Sequence, residues 1–344
     1  MEKLKGVAGS IKAATVAESS FFNTKDFIPT DVPIINVALA GQVDGGLTSG
    51  LGVIAGESKR FKSLLGLLTM KAYLDKYPDA IALFYDVEFG IMPPYLEMIG
   101  IDTSRVLHIP IEHIEQLKFD MAKRLDAIKR GDRVFVFVDS VGMIASKKEA
   151  EDAVAGKDAT DMTRAKQLKS VFRIITPHFT TKDICGVVIN HVYKEQGSMY
   201  PRDVVSGGQG VMLAANWVWI IGKSQVKEGD EIAGWKFTIN IEKSRLVKER
   251  AQLSFVVTYE GGVNKWSGLL DEAIESGHVF SPSKGWYSKR GDDKKFRASS
   301  TNTKEFWEPL LADKTFTDAI EQKYKLKAPS LFAEVELESD DTAD

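Results

Sequence analysis

Residues 51–63, LGVIAGESKRFKS, decide the fold: an apolar run, Leu51 to Ala55, is followed by Gly56-Glu57-Ser58-Lys59-Arg60-Phe61-Lys62-Ser63 and then by a helix-like stretch. The spacing is that of a phosphate-binding loop, G-x-x-x-x-G-K-[ST], except that Phe61 stands where the second glycine belongs. Such a loop works because successive backbone N–H groups curl round a phosphate at the positive end of a helix. A lysine then reaches the outer phosphates, and a hydroxyl binds Mg²⁺. The missing glycine normally eases close approach of the backbone. From these residues alone two readings stand, a nucleotide loop or a basic helix N-terminus.

Outward from the loop, strands and helices alternate. Residues 51–56 read as a buried strand and 62–77 as a helix ending at Pro78, with further strands at 80–88, 105–110, 133–140, 184–192 and 216–224. Helices fall at 112–130 and 160–176, the second stopped by Pro177. Continuous apolar strands indicate a sheet covered by helices on both faces. Residues 235–245 and 253–263 alternate more clearly and read as an antiparallel hairpin added to that sheet. Residues 2–18 look helical, and 268–328 form a smaller mixed region with helical stretches at 268–277 and 316–326. Two long connections, 145–160 and 193–211, leave the ends of parallel strands, the edge where open α/β sheets bind ligands.

The bulk composition excludes several classes. Across 344 residues the net charge is −3, but the last twelve residues hold six acids and no base, so residues 1–332 carry a formal +3. The single cysteine, Cys185, lies in an apolar run and reads as a core residue, and it rules out internal disulfides. The five histidines show no metal-ligand spacing. No stretch approaches the roughly eighteen apolar residues of a membrane span, and the first residues lack a signal-peptide core, so a soluble intracellular protein is expected.

A nucleotide site needs a second half, an acid at the end of another buried strand. VFVFVDS places Asp139 there, with Ser140 beside it; alone, Asp139 reads more readily as a helix cap or turn residue, the commoner role for Asp after a strand. In LFYDVEFG, Glu88 lies two residues past Asp86 and so on the same face of the strand end. Nucleotide hydrolysis needs a carboxylate to orient the attacking water. The alternative for both acids is capping at the loop entry.

At this point the chain resembles the RecA/UvsX family of recombinases, and within it the branch carried by tailed phages of the T-even group. The matching stretches include SSFFNTKDFIPTDVPIINVALAG, AGESKRFKS, YPDAIALFYDVEFGI, FVDSVGMIASKKEAED, DMTRAKQLKSVFRIITP, EKSRLVKE, GWYSK and TNTKEFW, and with the acidic tail they cover nearly the whole chain. The phenylalanine in the loop also belongs to the phage branch's pattern. The resemblance implies an α/β fold with a three-layer RecA-type P-loop ATPase core, a mostly parallel twisted sheet, an antiparallel extension, an N-terminal helical segment and a small C-terminal domain. It divides the chain into an oligomerisation segment (1–35), the core (36–267, with DNA loops at about 145–160 and 193–211), the C-terminal domain (268–330) and an acidic disordered tail (331–344).

Site residues follow from the same resemblance. Gly56, Glu57, Ser58, Lys59, Arg60, Phe61, Lys62, Ser63 and Leu64 would wrap ATP, with Lys62 on the outer phosphates and Ser63 and Asp139 on the Mg²⁺ side. Glu88 would activate water, Tyr95 would stack on adenine, and His191 would sense the γ-phosphate. Lys243 and Arg245, two apart on one strand face, would reach the ATP of the next subunit. Arg164, Lys194, Arg202 and the amides at Ser206, Gly207 and Gly208 would hold single-stranded DNA, with Tyr200 a candidate for stacking on bases. Neither loop is basic enough to imply DNA binding by composition. The implied protein is an ATP-dependent strand-exchange recombinase and DNA-dependent ATPase. It would form helical filaments on single-stranded DNA, pair it with homologous double-stranded DNA, and meet a phage single-stranded-DNA-binding protein and a recombination mediator in the cytoplasm of the infected bacterium. The tail would mask DNA binding. The rival readings are a ring-forming helicase with a RecA core, and a non-hydrolysing ATP-dependent filament or adaptor. Phe61 is expected to have a helical φ below zero, with its ring turned from the phosphates into the helix–sheet packing.

Overall fold

The computed structural model describes residues 2–7, 13–19, 26–157, 163–195, 197 and 199–326. The acidic tail, residues 158–160 of the first long connection with 161 and 162 after it, residues 196 and 198 of the second, and part of the N-terminal segment lie outside them. Of the helix expected over 2–18, Glu2–Lys5 form α1, whereas Ala13 to Thr15 are not helical and the Thr15 hydroxyl accepts the Glu18 N–H in a turn; residues 8–12 lie outside the described residues.

The alternation expected from residue 51 onward is present. α2 (Pro33–Ala40) leads to β1 (Gly50–Ala55), α3 (Lys62–Lys76), β2 (Ile81–Asp86), α4 (Pro93–Met98), β3 (Val106–Pro110) and α5 (Ile114–Ala127). Next come β4 (Val134–Asp139), α6 (Lys147–Val154), α7 (Thr163–Thr181), β5 (Cys185–Asn190), β6 (Val192–Lys194), β7 (Asp203–Val205) and α8 (Gln209–Ala214). The long strands β8 (Trp217–Glu228) and β9 (Glu231–Lys243) precede β10 (Gln252–Thr258) and β11 (Gly262–Val263). The C-terminal region holds α9 (Leu269–Glu275), β12 (Val279–Ser283), β13 (Trp286–Lys289), β14 (Lys295–Arg297), α10 (Lys304–Ala312) and α11 (Lys314–Tyr324).

Among the described residues one nine-stranded sheet runs β11-β10-β9-β8-β1-β5-β4-β2-β3. From β8 to β3 every neighbouring pair is parallel, and β9, β10 and β11 extend the sheet antiparallel. β1, β4 and β5 are buried along their whole length, as their unbroken apolar sequences require of strands covered on both faces. One face packs under α2, α3, α4 and the C-terminal elements, the other under α5 and α7. α3 comes close to the sheet because residue 66 is glycine: a Cβ there would stand 2.3 Å from the Phe137 ring.

Two expectations need correction here. Pro177 does not end α7, which runs on to Thr181. Its last turn is held by buried Phe179, whose ring lies over Gly186 of β5, while the Thr180 and Thr181 hydroxyls donate to the Thr176 and Pro177 carbonyls. The connection after β4 is not a plain loop either. It contains α6, started by a capping box in which Ser146 and Glu149 satisfy each other's backbone N–H. Cys185 is buried, as expected, and among the described residues no cluster of three or more potential ligands could hold a metal. No helix of the described residues is long and apolar enough to cross a membrane.

Candidate nucleotide site and the two long connections

β1 ends at Ala55 and α3 begins at Lys62, so residues 56–61 form a tight turn at the carboxyl edge of the parallel strands. Gly56 (φ 158), Lys59 (φ 59) and Phe61 (φ 63) curl it. The expectation of a negative φ at Phe61 is wrong. As N-cap of α3 it sits in the left-handed region (φ 63, ψ 17), where a residue with a Cβ costs about 1 kcal/mol or more. The expectation for its ring holds: it stacks on Phe237 of β9, centroids 4.8 Å apart at 26°, against the core on the α3 side.

Lys62 is buried, and its ammonium donates to the Glu57 carbonyl at 2.8 Å, across the mouth of the turn. Burial pushes its pKa down, while the Glu88 and Asp139 charges hold it up. Asp139, at the end of β4, is 3 % exposed, and desolvation lifts its carboxyl to about 6 against a stabilising hydrogen bond from Ser63. Its Oδ1 is buried with no partner. A buried acid with an empty oxygen beside a hydroxyl and a lysine is a donor set that a hard divalent cation with phosphate oxygens would complete.

Glu88 and Asp86 do not share a face. β2 ends at Asp86, whose carboxylate turns inward: Oδ1 accepts the Phe89 N–H at 2.8 Å, and Oδ2 meets His108 Nε2 at 3.0 Å. Asp86 thus has the capping role. Beyond the strand end the Val87 and Glu88 N–H groups donate to the Asp139 carbonyl, which carries the Glu88 side chain toward β4 and β5. There Ser140 Oγ donates to Glu88 Oε1 at 2.5 Å, and His191 Nε2 stands 3.3 Å from the same oxygen. Ser140 is fully buried, and Gly142 is required beside it, because a Cβ at 142 would stand 2.1 Å from the His191 ring. Neither residue was expected to matter; the Asp-Ser pair closing a buried strand was the available signal.

His191 also joins this centre to the second long connection. Its carbonyl accepts the Ser206 N–H at 2.9 Å, and the neighbouring Asn190 amide donates to the Ser206 carbonyl at 2.8 Å. Gly207 and Gly208 follow with φ of 89 and 69 into α8. Between them and His191, β6 and β7 pair as a hairpin, with Lys194 bridged to Asp203 at 2.5 Å and Arg202 exposed. Tyr200, beyond β6, is 81 % exposed.

Arg164 is placed differently from the expectation of a free phosphate contact. Its guanidinium donates to the Ile144, Val141 and Gly142 carbonyls, so it pins the turn after β4. Tyr95 lies half-buried on α4 against the core, and burial raises its phenol.

Lys243 and Arg245 are also not two apart on one strand. β9 ends at Lys243, and the Ser244 hydroxyl accepts the Leu246 and Val247 N–H groups, turning the chain. The Lys243 ammonium donates to the Met212 and Ala215 carbonyls at the end of α8, where burial and then Arg245 lower its pKa. Arg245 lines a cavity of about 340 Å³ with Ser49, Asn216 and Trp217, which precede or begin β1 and β8. That is the amino edge of the parallel strands, opposite the phosphate turn. The structure therefore brings together Lys62, Ser63, Asp139, Glu88 and His191, and sets Lys243 and Arg245 apart from them.

A glycine-started turn between a buried strand and a helix, with a buried lysine and an acid on a second strand, defines a P-loop nucleotide-binding protein of the α/β class. Residues 26–264 match the family described as "RecA N-terminal domain", and residues 266–320 the one described as "Bacteriophage T4, Recombination and repair protein, C-terminal domain". The chain belongs to the RecA/UvsX family and is a RecA-type recombinase. It is 47 % identical over 338 residues to the recombination and repair protein of Enterobacteria phage T4, covering 95 % of this chain and 86 % of that one. Protein RecA of Acidothermus cellulolyticus is 26 % identical over 305 residues, covering 88 % and 84 %, and that of Rhodococcus jostii 25 % over 319, covering 92 % and 87 %.

Proposed function

We propose that this recombinase is a DNA-dependent ATPase that assembles as helical filaments on single-stranded DNA and exchanges strands with homologous double-stranded DNA. The observation that carries the reading is the convergence of Lys62, Ser63, Asp139, Glu88, Ser140 and His191 at one sheet edge, with His191 bonded through its backbone to the glycine-rich connection. Residues 56–64 bind the phosphates through backbone N–H groups, and Lys62 leaves the Glu57 carbonyl to reach them. Ser63 and Asp139 hold Mg²⁺, which neutralises phosphate charge when bound. Glu88, fixed by Ser140, orients the attacking water, and His191 reads the outer phosphate and passes its position to Ser206. Tyr95 covers the base. Arg202, Lys194 and the amides of Ser206, Gly207 and Gly208 face the DNA backbone. Arg245 and Lys243 serve the site of the next subunit.

Residues 1–35 form the docking segment, 36–267 the core, 268–330 a smaller unit and 331–344 an acidic tail that competes with DNA. The chain works in the cytoplasm of the infected bacterium with a phage single-stranded-DNA-binding protein and a mediator. The test is Glu88→Gln. Hydrolysis of ATP should fall by about two orders of magnitude or more while ATP-dependent binding to single-stranded DNA remains. Unchanged turnover would remove Glu88 from its role, and closed rings instead of filaments in electron micrographs would favour a helicase.

A further inference from the structure

Phe61 occupies the position where a phosphate loop has glycine, and it does so in the backbone conformation that glycine favours. A bulky residue keeps a left-handed φ only where its surroundings over-determine it. Here those surroundings are an aromatic layer on the antiparallel strands. The Phe61 ring stacks on Phe237 of β9, and Phe237 stacks on Phe255 of β10, centroids 5.5 Å apart at 26°. Phe237 and Phe255 are buried and directly opposite in the β9–β10 register, and Phe237 faces Lys223 of β8. The Lys223 ammonium lies 3.6 Å above the Trp235 ring and 6.0 Å from that of Phe237, and the Trp235 indole donates to the Tyr259 hydroxyl at 2.9 Å. A glycine at 61 would have no side chain to enter this layer.

We propose that the Phe61–Phe237 stack is a positioning device: it replaces glycine's freedom with a fixed anchor and holds residues 56–62 curled for phosphate before nucleotide arrives. The inference rests on reading this turn as the phosphate cradle, and it assigns the Phe61 and Phe237 rings a role that needs no contact with the nucleotide. It yields an order of affinities that simple loss of packing does not. Alanine at 61 keeps the left-handed cost and loses the anchor, whereas glycine loses both. Glycine should therefore outperform alanine although it is the smaller residue.

The test uses the full chain and Mg–ADP binding by calorimetry, with hydrogen exchange of residues 57–63 measured without nucleotide. Phe61→Ala should weaken Mg–ADP about tenfold and Phe61→Gly only about threefold, with Phe61→Tyr near wild type. Phe237→Leu keeps a bulky apolar side chain but removes the ring, and should also weaken binding. The double variant Phe61→Ala/Phe237→Leu should be no weaker than Phe61→Ala, because the two act as a unit. Exchange in 57–63 should quicken about tenfold in both single variants. Wild-type exchange in Phe61→Ala and Phe237→Leu, affinity that follows side-chain size with glycine weakest, or fully additive effects would overturn the proposal. Lys62→Ala separates the two layers of the argument. If it binds Mg–ADP as the wild type does, the cradle reading fails, while the exchange data still judge the stack.

Discussion

Asp139 has its buried carboxylate half satisfied: one oxygen has no partner, and desolvation is the largest influence on its charge. Its folded pKa, about 6, lies above the ordinary 3.8, so the fold disfavours the ionised form. The contribution to stability is therefore most favourable below pH 4 and declines as pH rises through 6. Asp139→Asn should stabilise the nucleotide-free protein at pH 7.5 by about 1–3 kcal/mol, read as a higher melting temperature, with the gain shrinking toward pH 5. On the proposed function Mg–ATP should raise the wild-type melting temperature further, and the same change should abolish that gain. An asparagine variant that melts lower than wild type would mean that the acid is satisfied in a way the geometry does not display. The acid itself was legible as the end of a buried strand, but its empty oxygen was not, since that depends on which neighbours the fold supplies. Asp86 shows the reverse. Its spacing from Glu88 suggested a pair, but the strand stops at Asp86 and the next residues turn, which separates the two carboxylates.

The elements were legible in proportion to how continuously apolar they are. β1, β4 and β5 are six-residue runs buried throughout, and their sequences contain little else that competes. α2 escaped notice because all eight of its residues are buried, which leaves no polar face to reveal a helical period. β12 to β14 are short, half-buried or exposed apart from Val279, and set amid lysines and turn residues, so their pairing comes from the C-terminal unit and not from pattern. α6 carried its own signal, Ser146 three residues before Glu149, inside a stretch read as a loop. The connections also set which arginine is placed for the proposed DNA contact. Arg164 is engaged by three carbonyls of the turn after β4, whereas Arg202 projects from the β6–β7 hairpin. Arg202→Ala should lower the slope of log affinity against log salt for single-stranded DNA by about 0.7, the loss of one phosphate contact. Arg164→Ala should weaken binding with the slope unchanged, because it loosens a turn without removing a charge contact. Equal slope changes in the two variants would return Arg164 to the DNA surface.

At the scale of the whole molecule the separation of Lys62 from Arg245 has a consequence for assembly. β1 runs from the edge where Ser49 borders the Arg245 cavity to the edge where Gly56 opens the phosphate turn. Six residues of strand span about 20 Å, farther than an arginine side chain reaches. If Arg245 stabilises phosphate charge, it does so on another copy, with the amino edge of one subunit against the carboxyl edge of the next. Such a head-to-tail contact joins two different surfaces, so it continues as a helix unless the rotation closes a ring. Two inactive variants then become a sensitive test. Lys62→Ala spoils a subunit's own phosphate turn, and Arg245→Ala spoils only what it lends to its neighbour. Mixed in equal amounts on single-stranded DNA, they place an intact turn against an intact arginine at about a quarter of random interfaces, and ATP turnover should recover to about that fraction of wild type. If Arg245 acts within its own chain no subunit in the mixture is whole, and turnover should stay at the level of the separate variants.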